Sequence, residues 1–204
     1  MPEVGESAQG NKAAHPDGSS KTIRRAPPKQ HPQDRPQRIV LTGFMGAGKT
    51  TIGKLLARKL DWQFMDADEV IEAGEGATIA RLFLERGEPW FRELEHETIR
   101  RLLTANALVL ALGGGAIEDA GTRELLLNSD GTHLVHLEAT LETVLLRCNG
   151  TESLRPVLRD RENLEARYAR RLPLYRQAHL SVAVDFLLPD EVLAEILHRI
   201  PIEV

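Results

Sequence analysis

Gly43-Phe44-Met45-Gly46-Ala47-Gly48-Lys49-Thr50 follows directly on the apolar run Ile39-Val40-Leu41. The octet matches G-x-x-x-x-G-K-[ST], the spacing of a phosphate-binding loop. Its flanks have the required order. An apolar strand enters, glycines turn the chain, and a helical pattern leaves through Ile52, Leu55, Leu56 and Leu60. Glycines let backbone N–H groups approach an anion with no Cβ in the way. The N-terminus of the following helix adds unpaired donors and partial positive charge. Lys49 can then reach the β- and γ-phosphates, and the Thr50 hydroxyl can help to hold Mg²⁺. The stretch predicts binding of a nucleoside triphosphate and leaves the reaction open.

Composition narrows the classes. The chain has 204 residues, a formal net charge of -4 and one cysteine, Cys148. A net negative balance argues against general nucleic-acid binding. One cysteine permits neither an intrachain disulfide nor a cysteine metal cluster, and it suits a reducing, cytoplasmic setting. No apolar run reaches the ~18 residues that would suggest a membrane span, and the N-terminus lacks the apolar stretch of a secretory signal. Residues 1–36 are rich in Gly, Ser, Pro, Lys, Gln and Asp, which predicts a disordered extension with a basic end at Lys21, Arg24, Arg25 and Lys29. The folded unit is expected at 37–204.

From Arg38 onward, short apolar runs alternate with amphipathic stretches. Strands are predicted at 38–42, 63–65, 107–112, 132–137 and 180–184. Helical patterns lie at 49–60, 79–85, 88–104, 123–127, 141–147 and 162–172, with a last one through Val192, Ile196 and Ile200. Such alternation implies a parallel sheet covered on both faces, with ligands at the carboxyl ends of its strands. The segment 150–161 breaks the rhythm, carrying Arg155, Arg159 and Arg161 around Pro156. A surface loop and a lid closing over phosphates both fit it.

Several residues after the strands have chemical potential. Met65-Asp66-Ala67-Asp68 ends the second strand, where carboxylates can reach a metal and an acceptor hydroxyl. Asp68 is equally suited to capping the next helix. Arg92 and Glu95, one turn apart, read either as a solvated ion pair or as an anion-gripping arginine held by its partner. Trp90 and Phe91 can wall such a pocket, or one of them can be core. Gly113-Gly114-Gly115 at the end of the third strand buries no side chain, and points to close approach of backbone and ligand. No acidic residue stands in 107–112, so metal binding falls to Thr50 and Asp66. Arg170-Arg171-Leu172-Pro173 is expected to end a helix, and Arg171 there also fits a helix-dipole partner. His96, His133, His136 and His179 show no metal-ligand spacing and read as surface or hydrogen-bonded core residues.

Together these pieces resemble the shikimate kinases. The shared marks are Gly48-Lys49-Thr50-Thr51-Ile52-Gly53, Asp66-Ala67-Asp68, Gly87-Glu88-Pro89-Trp90-Phe91-Arg92, Gly113-Gly114-Gly115, Arg155-Pro156-Val157-Leu158 and Arg171-Leu172-Pro173-Leu174-Tyr175, spread over about residues 38–200. The resemblance implies a three-layer α/β/α P-loop kinase domain with a five-stranded parallel sheet and a mobile lid at about 148–161. It further implies a monomeric enzyme acting on ATP and shikimate with Mg²⁺. Under it, Gly46, Ala47, Gly48, Lys49, Thr50, Thr51, Arg147 and Arg155 bind nucleotide, with Arg147 against the adenine. Thr50 binds the metal directly and Asp66 through water. Asp68 contacts the acceptor hydroxyl, Arg92 and Arg171 hold the substrate carboxylate, and Gly113, Gly114 and Gly115 lie along the ring. Lys49, Asp68 and Arg155 form the catalytic set. The chain departs from the family pattern in its extension, in Val157 and Trp90, and in lacking an arginine near Leu187-Leu188-Pro189, which bears on nucleotide affinity.

Overall fold

The computed structural model describes residues 36–148 and 161–202. Strand β1 (Arg38–Thr42) leads into helix α1 (Lys49–Leu60). β2 (Gln63–Asp66) leads into α2 (Ala67–Glu75), α3 (Ile79–Arg86) and α4 (Glu88–Leu102). β3 (Leu108–Ala111) is followed by a 3₁₀ turn at Ala116–Glu118 and by α5 (Ala120–Asn128). β4 (Thr132–Glu138), α6 (Leu141–Cys148), α7 (Arg161–Tyr175), β5 (Leu180–Ala183) and α8 (Pro189–Arg199) complete the order.

The strands form one parallel sheet in the order β2-β3-β1-β4-β5. Val40 on the central strand pairs with Leu110 of β3 and Leu134 of β4, and all three are fully buried. Both faces of these strands are apolar because helices cover both. α1 packs on β1, β2 and β3 and against α8, while α5 lies on β4 and touches α4. The result is the expected three-layer domain. The chain first runs to the β2 edge, returns through β3, and crosses β1 to reach β4 and β5. The carboxyl ends of β1 and β3 therefore open at a topological switch point, where α/β proteins bind ligands.

The helix expected after Asp68 is present as α2 and begins at Ala67. Two local expectations change. β3 begins at Leu108, one residue late, because Ala107 takes a left-handed φ of 52° that no strand accommodates. And α7 does not end before Pro173 but runs through it to Tyr175. Proline removes one N–H from the ladder. The loss falls on an exposed turn, and Arg176 N–H still donates to Leu172 O at 3.1 Å beyond it. Arg171 is thus not in the last turn, and Tyr175 falls one turn beyond it on the same helical face. The expected extension up to residue 35, and 149–160 with Arg155 and most of the expected lid, lie outside the described residues.

Candidate active site

The donor half is built where β1 meets α1. Gly48 caps α1 with φ 100° and ψ 13°, a left-handed conformation suited to glycine, and gives no side-chain cap. The first N–H groups of α1 therefore point into the loop. A Cβ on Gly43 would stand 2.6 Å from Leu137 O, so the loop also seats directly on β4. Lys49 Nζ donates to Gly43 O at 2.8 Å and Phe44 O at 3.1 Å, which holds its charge over the loop. Thr50 Oγ1 donates to Asp66 Oδ2 at 3.1 Å, joining the two residues expected at the metal.

Asp66, not Asp68, is the cap of α2. Its Oδ1 accepts from Asp68 N–H at 3.1 Å. That removes the capping alternative for Asp68, whose side chain is left facing Gly113. A Cβ built on Gly113 would lie 2.6 Å from Asp68 Oδ1 and 3.1 Å from Glu95 Oε1. Two carboxylates thus converge on one glycine. Burial, reinforced by Asp66, pushes the Asp68 carboxyl up to about 6, against the pull of Lys49. Burial likewise raises Glu95 to about 7, against Arg92.

Neither arginine is the solvated surface group that helical spacing also allowed. Arg92 donates to Glu95 Oε2 at 2.6 Å and to Glu88 Oε1 at 3.1 Å, and Glu95 is only 2% exposed. Its guanidinium lies 5.5 Å from the Phe91 ring centre and 5.7 Å from that of Phe83. Phe91 also packs with Ile71 and Leu82 in a small core between α2, α3 and α4. It is therefore a core residue with the Arg92 guanidinium beside its ring, while Trp90 is half-buried with Arg86 over its ring. Arg171 is 7% exposed and binds Glu118 Oε2 through Nε at 2.8 Å and through Nη2 at 2.6 Å. It also lies 5.9 Å from the centre of the Phe44 ring. Burial raises Glu118, but Arg171 and Arg170 more than offset this and bring it below the usual carboxylate range.

One cleft of about 940 Å³ joins the halves. Gly46, Ala47, Gly48, Lys49, Thr50 and Thr51 line it on one side; Asp66, Asp68, Gly113, Gly114, Gly115 and Arg171 line it on the other. Arg92 meets it from behind Gly115, where an added Cβ would come 2.5 Å from Nη2. Arg147 closes the far end, donating to Val184 O at 2.7 Å and Gly46 O at 3.5 Å beside the apolar Leu187 and Leu188. His136 is buried and bonded to Ser181 Oγ at 3.2 Å, a paired core residue as expected. Sequence reasoning did not single out Phe44, Phe83 and Glu118, which hold the two arginines. Their roles come from contacts across the fold, for which no local pattern exists.

A parallel sheet in this order, with a phosphate-binding loop after its central strand and carboxylates at the end of β2, defines a P-loop kinase. A model of the family described as shikimate kinase matches residues 45–201. Shikimate kinase of Persephonella marina is 40% identical over 163 residues, covering 79% of this chain and 98% of that protein. That of Moorella thermoacetica is 42% identical over 152 residues, covering 74% and 86%. A solved shikimate kinase from Acinetobacter baumannii, in complex with shikimate, superposes with a TM-score of 0.74 at 37% identity over 81% of this chain and 93% of its own. The chain belongs to the shikimate kinase family.

Proposed function

We propose that the chain transfers the γ-phosphoryl group of ATP to the 3-hydroxyl of shikimate, giving shikimate 3-phosphate and ADP. The observation that carries this reading is the shared cleft in which Asp68, Gly114 and Arg171 face the phosphate-binding loop. A carboxylated polyol acceptor fits that wall. Arginine guanidinium groups match a carboxylate, the glycine turn approaches a ring closely, and Asp68 meets a hydroxyl.

The residues present fit Mg²⁺. Thr50 and Asp66 offer hard oxygen donors within 3.1 Å of each other, and this ion is usually held by one or two protein groups with phosphates and water. Among the described residues, no group of three His, Cys, Asp or Glu side chains could replace them. When bound, the ion would screen the phosphate charges. Thr50 would ligate it and Asp66 would reach it through water. Lys49 and the α1 N–H groups stabilise charge on the transferring phosphoryl, whose loose transition state responds mainly to positioning and electrostatics. Asp68 orients the acceptor hydroxyl and takes its proton, a task favoured by a carboxyl titrating nearer neutrality than usual. Arg92 and Arg171 hold the carboxylate, Thr51 contributes to the nucleotide site, Arg147 lies at the adenine end, and Arg155 holds the phosphates as the lid of 148–161 closes. The working unit is a cytoplasmic monomer. No helix among the described residues is long and apolar enough to cross a membrane.

A coupled assay of ADP release, with shikimate and gluconate as parallel acceptors, tests the reading. Shikimate-dependent release is expected. Release with gluconate only, or with neither acceptor, would overturn it.

A further inference from the structure

Tyr175 carries a polar atom in a place where packing alone does not require one. The residue is 1% exposed and ends α7, one turn beyond Arg171, so the two share a helical face. Its hydroxyl donates to Gly114 O at 2.5 Å across 61 residues of sequence. A Cβ built on Gly114 would stand 3.7 Å from both Tyr175 Oη and Arg171 Nη1, so these groups reach the glycine turn together. The ring is fixed from behind by His136, whose imidazole stacks on it at 5.2 Å and 19° and is itself bonded to Ser181. Burial pushes the phenol pKa upward, so the hydroxyl keeps its proton and stays a donor.

We propose that Tyr175 is a positioning residue of the acceptor site, its hydroxyl setting the glycine turn against Arg171. This rests on the reading of Gly114 and Arg171 as acceptor-binding groups. The peptide between Gly114 and Gly115 is planar, so fixing the carbonyl of one fixes the N–H of the other in the opposite direction. Glycines have no side chain to hold such a plane, and a flanking tyrosine supplies the restraint. Arg171, anchored by Glu118, also interacts directly with the Tyr175 hydroxyl, so the tyrosine ties the turn to the arginine.

Tyr175→Phe tests this in the full chain, because it keeps the ring that fills the core and stacks on His136. Steady-state kinetics should show the KM for shikimate raised about tenfold, the scale of one hydrogen bond in a desolvated site. The KM for ATP and kcat should stay within about twofold, the mark of lost binding rather than lost chemistry. Arg171→Ala serves as the control for the underlying reading and should raise the same KM further. The double variant should be no weaker than Arg171→Ala alone, since the hydroxyl acts with that arginine. An unchanged shikimate KM in Tyr175→Phe, beside a raised one in Arg171→Ala, would overturn the role of Tyr175 alone. Equal losses for both substrates would overturn it too, marking the hydroxyl as a general structural group. No effect in Arg171→Ala would overturn the acceptor-site reading and the inference built on it.

Discussion

The carboxylates of Asp68 and Glu95 converge over Gly113, one from α2 and one from α4. Only a residue without a side chain leaves them room. Gly113→Ala should therefore leave the nucleotide side intact and spoil the acceptor side. We expect kcat/KM for shikimate to fall about a hundredfold, the cost of a small misplacement at the reacting groups, with the KM for ATP unchanged. Kinetics with each substrate varied in turn would measure both.

Asp68→Asn keeps the shape of the side chain and removes its basicity. kcat should drop by about a thousandfold, within the usual contribution of a positioned acid or base, while ATP still binds by calorimetry. Near-normal turnover would remove Asp68 from the chemistry.

Arg92→Ala has two separable consequences. It weakens shikimate binding, and it strands Glu95, which is 2% exposed. Breaking a buried pair by removing one partner costs about 3 kcal/mol. Adding Glu95→Gln should return much of the lost stability in urea melts without restoring shikimate affinity. Recovery of both together would show that Arg92 acts only through folding.

His136 makes stability depend on pH. Burial pulls its pKa down from 6.5 to about 4, so the folded state holds the neutral ring and binds fewer protons than the unfolded chain. Stability is then at its full value above pH 6.5 and is lost as pH falls from there through about 4. The difference amounts to ~3 kcal/mol. Denaturation of His136→Gln across that window should show a flatter acid limb than the parent chain.

The sheet was legible because its inner strands are apolar on both faces, so Ile39-Val40-Leu41 and Leu108-Val109-Leu110 stand out as buried runs. The phosphate-binding loop was legible because its chemistry fixes residue types at fixed spacing. Glu95 was not. An (i, i+3) pair with Arg92 looks the same on a wet surface as in the interior, and only the burial of Glu95 beside Asp68 and Gly113 distinguishes them. Glu118 was hidden for a similar reason, and Tyr175 stood out only as the last letter of a family mark, with no partner assigned. Their partners, Arg171 and Gly114, lie 53 and 61 residues away, beyond any helical or strand period. The end of α7 was misplaced because a proline normally stops a helix, and here the bond it removes lies on an exposed turn.

Phe44 occupies a position that the loop's consensus leaves free, yet its ring packs edge-on against Tyr168 and underlies Arg171. The segment that cradles phosphate is thus also a foundation for the opposite substrate's anchor. Such a loop is not a transferable cassette. Grafting in the octet of another kinase, with every glycine and the lysine preserved, would disturb specificity for the acceptor while sparing nucleotide binding. A new acceptor on this scaffold therefore calls for changes among the letters that the loop's consensus leaves free.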